Sequence, residues 1–164
     1  MDGVIVDWFI GARNLGLSID IVDSTTNSIE NKKIIWNAID RLGSVFWTNL
    51  KWTSDGRQLW DFLKPYNVSI LSSHGKTKDH EGWSKRFEVI NGKKDWIARN
   101  LGPMASHKCI ITQKLYKKKY AGHNSVLIDD DITNIEEWKS AGGIGSLHKN
   151  TNDTIKKVVN LVGE

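Results

Sequence analysis

Apolar positions change period partway along the chain, and that change organises the reading. Ile34, Ile35, Ala38, Ile39 and Leu42 recur at helical spacing and stop at Gly43, which predicts a helix. A second helix is predicted from Asp55 to Lys64, with Leu59, Trp60, Phe62 and Leu63 inward and Pro65 just past its end. The stretch before Ile34 has no clear period. Beyond Pro65, short apolar runs alternate with helical ones. Strands are predicted at Val68–Leu71, Cys109–Ile111, Val126–Ile128 and around Ile144–Leu147. Between them fall a helix marked by Trp96, Ile97 and Leu101 and ended by Gly102-Pro103, a basic helix at Leu115–Tyr120, and a helix after Asp131. A terminal helix carries Ile155, Val158, Val159 and Val162. This alternation predicts an α/β fold with a parallel, doubly wound sheet, whose functional residues gather at the C-terminal strand ends.

One strand end carries evident chemistry. Val126-Leu127-Ile128 runs straight into Asp129-Asp130-Asp131, with Asn134 four places past Asp130. Thr133 and Glu136 form a capping-box pattern, and Ala141-Gly142-Gly143 supplies the stop. Carboxylate and amide oxygens gathered there suit a hard cation such as Mg²⁺, which in turn holds a phosphate. The plainer alternative is a solvated acidic helix start, favoured by the macrodipole.

Composition narrows the classes. A chain of 164 residues fits one globular domain with a small insertion. It has no run of about 18 apolar residues and no basic-then-apolar leader, so a cytoplasmic protein with no membrane partner is expected. The single cysteine, Cys109, is expected to be buried in its strand. The net charge of +4 suits anionic ligands without demanding nucleic acid. The run from Lys114 to Lys119 is either a solvated helix face or a phosphate-tracking patch. Eight tryptophans are many for this length, and most should be core. Trp47 and Trp52 lie between the two early helices, where they either pack in a core or turn toward a nucleobase.

Four segments in order, Met1-Asp2-Gly3-Val4-Ile5-Val6-Asp7-Trp8, Val68-Ser69-Ile70-Leu71-Ser72-Ser73, Lys117-Lys118-Lys119-Tyr120-Ala121, and the acidic strand end with Ala141-Gly142-Gly143-Ile144-Gly145, carry a family signature. Together they resemble the motifs of the haloacid dehalogenase-like (HAD-like) phosphohydrolases, most closely the compact 5'(3')-deoxyribonucleotidase branch with its small phage-type members. The resemblance implies a Rossmann-like catalytic core at 1–8 and 67–164, with a small helical cap inserted at 9–66. It implies a Mg²⁺-dependent phosphomonoester hydrolase, a 5'-nucleotidase acting on (deoxy)nucleoside monophosphates through an aspartyl-phosphate.

Roles follow from the same resemblance. Asp2 is the general acid and base, with its backbone carbonyl on the metal. Ser72 binds a phosphate oxygen, with Ser73 beside it. His74-Gly75-Lys76 contacts substrate or turns the chain. Lys117 neutralises nucleophile and phosphate. Asp130 is the metal ligand, Asp129 holds the metal's water shell or orients Lys117, and Asn134 stands where many relatives carry a second carboxylate. The family's first motif is Asp-x-Asp-Gly, so its attacking Asp falls one place before Met1. The expected reading is an N-terminally truncated chain that lacks this Asp and the central strand carrying it, inactive as it stands, with a gap between the Val68 and Val126 strands. Asp7 lies past the Gly and is expected to be a helix-start or cap residue.

Three rival readings remain open. A response-regulator receiver domain uses similar groups but in the reverse order along the chain. A degenerate phosphatase-like binding protein would keep Asp130 and Lys117 without a nucleophile. A nucleic-acid end phosphatase would use the basic run, although nucleic acid is not the expected partner.

Overall fold

The computed structural model describes residues 1–18, 21, 29–75 and 82–163, with side chains in the last stretch described from residue 85. In chain order the elements are β1 (Val6–Asp7), α1 (Trp8–Arg13), α2 (Ile29–Leu42), α3 (Ser44–Thr48), β2 (Lys51–Trp52), α4 (Gly56–Leu63), β3 (Leu71–Ser73), α5 (Gly82–Leu101), α6 (Pro103–His107) and β4 (Ile110–Thr112). A 3-10 helix (Lys114–Tyr120), β5 (Val126–Asp129), α7 (Ile132–Ser140), β6 (Ile144–Leu147) and α8 (Thr151–Val162) complete it. The fold is mixed α/β with small parallel sheets. No described helix is long and apolar enough to cross a membrane.

Two compact units divide the chain: Met1–Val6, Trp52–Lys76 and Lys108–Glu164 form the first, and Asp7–Lys51 with Thr77–His107 the second. The expected insertion at 9–66 therefore differs from the observed division. The helix α4 belongs to the first unit, while α5 and α6, which follow the second motif, belong to the second. The reason is packing: α4 lies against α8, whereas α3 lies against α5.

In the first unit, β3 pairs in parallel with β4 (Ser72 opposite Ile111), and β5 pairs in parallel with β6 (Ile128 opposite Ser146). Among the described residues no strand joins these two pairs, so a gap stands between the β3 and β5 strands, where one was expected. Leu71 of β3 nevertheless packs on the buried cluster of Leu127, Ile135 and Trp138, which holds both pairs on one core. The helix α7 covers β5 and β6 because Ile135 and Trp138 recur at its inner face, and the Trp138 indole donates to Ser125 O at 3.3 Å. It starts earlier than the capping box predicted. Asp131, not Thr133, is the N-cap, its carboxylate accepting the Thr133 N–H at 2.9 Å, because a short carboxylate reaches a free N–H of the first turn directly.

In the second unit, Trp96 is 1% exposed and its indole donates to Leu50 O at 2.8 Å. Gly92 lets α5 cross α3 closely, since a Cβ there would collide with Ser44 O and the Trp47 Cβ. Gly43 ends α2 with φ +56°, and the Ser44 N–H that opens α3 donates to Glu88 at 2.7 Å. The helix α2 runs back to Ile29, ahead of the clear apolar period. Asp7 caps α1, accepting the Ile10 N–H at 2.8 Å, as its position suggested. Cys109 is half-buried just ahead of β4 rather than enclosed within it.

Candidate active site

The ends of β3 and β5 and the 3-10 helix bring the expected residues of the first unit together. In a 3-10 helix, residues three apart eclipse one another. Lys114 and Lys117 therefore share a face, and both reach the acidic loop: Lys114 pairs with Asp131, and Lys117 Nζ lies 2.8 Å from Asp129 Oδ2. The basic run is thus largely spent on internal charge pairing, with Lys118 also 3.7 Å from Glu137. The basic helix expected at Leu115–Tyr120 is a 3-10 helix over Lys114–Tyr120. The shorter period is what points two lysines at neighbouring carboxylates.

Asp129 is buried and fully engaged. Oδ2 accepts from Lys117, and Oδ1 accepts from Asn134 Nδ2 at 2.9 Å and from the Asp131 N–H at 3.0 Å. Burial alone would raise its carboxyl, but the Lys117 charge and these hydrogen bonds outweigh it and hold the group below the usual carboxylate range. Both oxygens being taken, Asp129 orients Lys117 and is poorly placed to ligate a metal directly. Asn134 serves it as a donor, a role that a second carboxylate could not perform.

Asp130 has the opposite environment. Its carboxyl is raised, by partial burial first and by the neighbouring Asp129 charge second. No side chain from the described residues forms a hydrogen bond or ion pair with it. It lodges against the backbone of Gly3, where φ is +70° and an added Cβ would collide with the Asp130 carboxylate. Gly3 is held there by a tight turn in which its N–H donates to Val6 O at 2.9 Å, while Met1 O accepts from the Ile5 and Val6 N–H groups at 3.0 and 3.2 Å. Asp2, half-buried, bridges to Val6 in the same turn. The Asp2-Gly3 segment and Asp130 thus adjoin.

A cation is implied by the resemblance, and Asp130 is the carboxylate at this strand end that could hold one. No group of three or more His, Cys, Asp or Glu side chains among the described residues surrounds a common point. A cation here would be held by Asp130, a carbonyl and water, which is how Mg²⁺, slow to shed its waters, is often bound.

Ser72 lies inside β3 rather than after it, 1% exposed, because the strand runs Leu71–Ser73 instead of Val68–Leu71. β3 packs against the 3-10 helix, so Ser72 and Lys117 sit on neighbouring elements. Ser73 makes a turn, its Oγ accepting the Gly75 N–H at 3.1 Å. The His74 N–H extends the β3–β4 ladder to Thr112 O at 3.0 Å, so His74 and Gly75 turn the chain; Lys76 lies outside the described residues. Trp47, in the second unit, is 3% exposed, with Trp36 stacked at 6.3 Å, Phe46 edge-on at 5.0 Å and Lys93 Nζ 4.6 Å from its ring centre. It offers no free face to a base and is core. Trp52, in the first unit, is half-buried and carries the Arg57 guanidinium 4.7 Å from its ring centre.

The sequence reading missed His148, buried immediately after β6 with Nδ1 2.8 Å from Thr154 Oγ1. Its position at the end of the strand beside β5 was the available signal.

No family model, curated protein or solved structure matches this chain.

Proposed function

We propose that this site hydrolyses small phosphomonoesters with Mg²⁺, acting on (deoxy)nucleoside monophosphates through an aspartyl-phosphate, in a Rossmann-like HAD core with a helical cap. The observation that carries the reading is the pairing of one locked carboxylate, Asp129 on Lys117, with one available carboxylate, Asp130 against Gly3. Segments far apart in sequence supply these groups, and that convergence supports the reading. Lys117, held by Asp129, presents its remaining N–H donors to the transferring phosphoryl group and balances its charge. Asp2 protonates the leaving oxygen and then takes a proton from the attacking water. Ser72 donates its hydroxyl to a phosphate oxygen. A cation on Asp130 would neutralise phosphate oxygens as the reaction proceeds. In this reading none of Asp2, Asp129 and Asp130 is the attacking carboxylate, and an Asp added ahead of Met1 would supply it.

The test is phosphate release from nucleoside monophosphates by a chain extended upstream through an Asp before Met1, with and without EDTA. Mg²⁺-dependent release that disappears in Asp130→Asn supports the reading. Undiminished release in EDTA removes it. Phosphate binding by the extended chain without turnover would favour a phosphatase-like binding protein instead.

A further inference from the structure

His148 is the buried titratable group that the chemistry above leaves unused. Its backbone N–H donates to Asp129 O at 2.9 Å, tying it to the acidic strand end. The register that pairs Asp129 with Leu147 puts Asp130 and His148 each one place past the end of its strand. Beyond its burial, the imidazole feels the Asp55 charge most, then those of Asp130 and the Met1 amino group. One ring nitrogen is committed: Nδ1 lies 2.8 Å from the hydroxyl of Thr154, which is completely enclosed in α8. The other, Nε2, forms no hydrogen bond with any described residue.

Where the Thr154 hydroxyl donates to Nδ1, the ring proton stays on Nε2. The open edge is then a neutral, directional donor beside a carboxylate suited to a cation. Neutrality matters here, because a second lysine would bind an oxyanion but repel the cation that the oxyanion also needs. A phosphate oxygen accepts from such a donor without disturbing the cation.

We propose that His148 is a further substrate-binding residue of this site, presenting Nε2–H to an oxygen of a phosphate group, with Thr154 fixing the tautomer. The proposal rests on the phosphomonoester reading and adds to it a contact on the β6 side of Asp130.

Two substitutions separate the ring's two edges. In His148→Asn the amide reaches the Nδ1 position and keeps a partner for Thr154, but nothing stands at Nε2. In His148→Gln the amide reaches the Nε2 position. Titration calorimetry with inorganic phosphate in the presence of Mg²⁺ should show affinity falling about tenfold in His148→Asn, the scale of one hydrogen bond to a charged group, with recovery of most of it in His148→Gln. Mg²⁺ affinity without phosphate should stay within about twofold of wild type in both. Nitrogen chemical shifts of the His148 ring should report the Nε2–H tautomer. An Nδ1–H tautomer, unchanged phosphate affinity in His148→Asn, or equal loss of Mg²⁺ and phosphate would each overturn the proposal. Failure of the wild-type protein to bind phosphate would overturn the phosphomonoester reading with it, whereas equal binding by wild type and His148→Asn sinks only the role of His148.

Discussion

Gly3 and Asp130 occupy space that admits no Cβ between them. Gly3 also stands at φ +70°, so both sterics and backbone conformation select glycine there. Gly3→Ala should destabilise the protein by about 1 to 3 kcal/mol from the backbone conformation alone and displace the Asp130 carboxylate. Urea unfolding of Gly3→Ala, Asp130→Ala and the double variant tests this as a cycle. Removing the Asp130 carboxylate should relieve part of the Gly3→Ala cost, and strict additivity would show that the two residues do not meet.

Asp129 and Lys117 form a buried pair, and breaking one side leaves the other charge stranded. Lys117→Met should cost about 3 to 5 kcal/mol, and adding Asp129→Leu should recover much of it. If Lys117→Met unfolds at the wild-type urea concentration, the pair is not enclosed as described.

The two carboxylates should respond oppositely to pH. Asp129 is held low, so its contribution is present above the ordinary carboxylate value and lost as pH falls through its folded value. Asp130 is raised, so it penalises the metal-free fold above its folded value, and that penalty fades below the ordinary one. In EDTA at neutral pH, Asp130→Asn should therefore melt slightly above wild type, whereas Asp129→Asn should melt below it and lose the acid-limb dependence. Added Mg²⁺ should raise the melting temperature of wild type and leave Asp130→Asn unmoved. An equal Mg²⁺ response in both would remove Asp130 as the ligand.

Trp47→Ala should cost about 3 to 5 kcal/mol, as for an enclosed aromatic, without changing preference among nucleobases in an active extended chain. A changed base preference at wild-type stability would return Trp47 to a binding surface.

Much of the architecture was legible because it rests on periodicity. The helices ending at Leu42 and Leu63 and the pair β5 and β6 follow from apolar spacing and from glycine and proline stops. What was illegible depends on contacts distant in sequence. The strand at Leu71–Ser73 is set by its partner Ile110–Thr112, which shifts it off the most apolar residues and encloses Ser72. Asp131 took the cap from Thr133 because one of its carboxylate oxygens reaches the Thr133 N–H, while the other pairs with Lys114 from an earlier element. The division of labour between Asp129 and Asp130 was implied by the resemblance and not by the run of identical letters, and its physical source is that Asn134 and Lys117 both fall on the first. His148 carried no signal of its own in the sequence, because the groups that hold it, Thr154 and the Asp129 carbonyl, lie on other elements.

Phosphate release from a panel of deoxynucleoside monophosphates tests the central claim most directly, measured for this chain and for one carrying an apolar strand ending in Asp before Met1. The expected result is Mg²⁺-dependent release from the extended chain alone, abolished in Asp130→Asn, together with a higher melting temperature as β3–β4 and β5–β6 gain a shared neighbour. Equal stability and equal turnover of the two chains, or release that persists in EDTA, would contradict it.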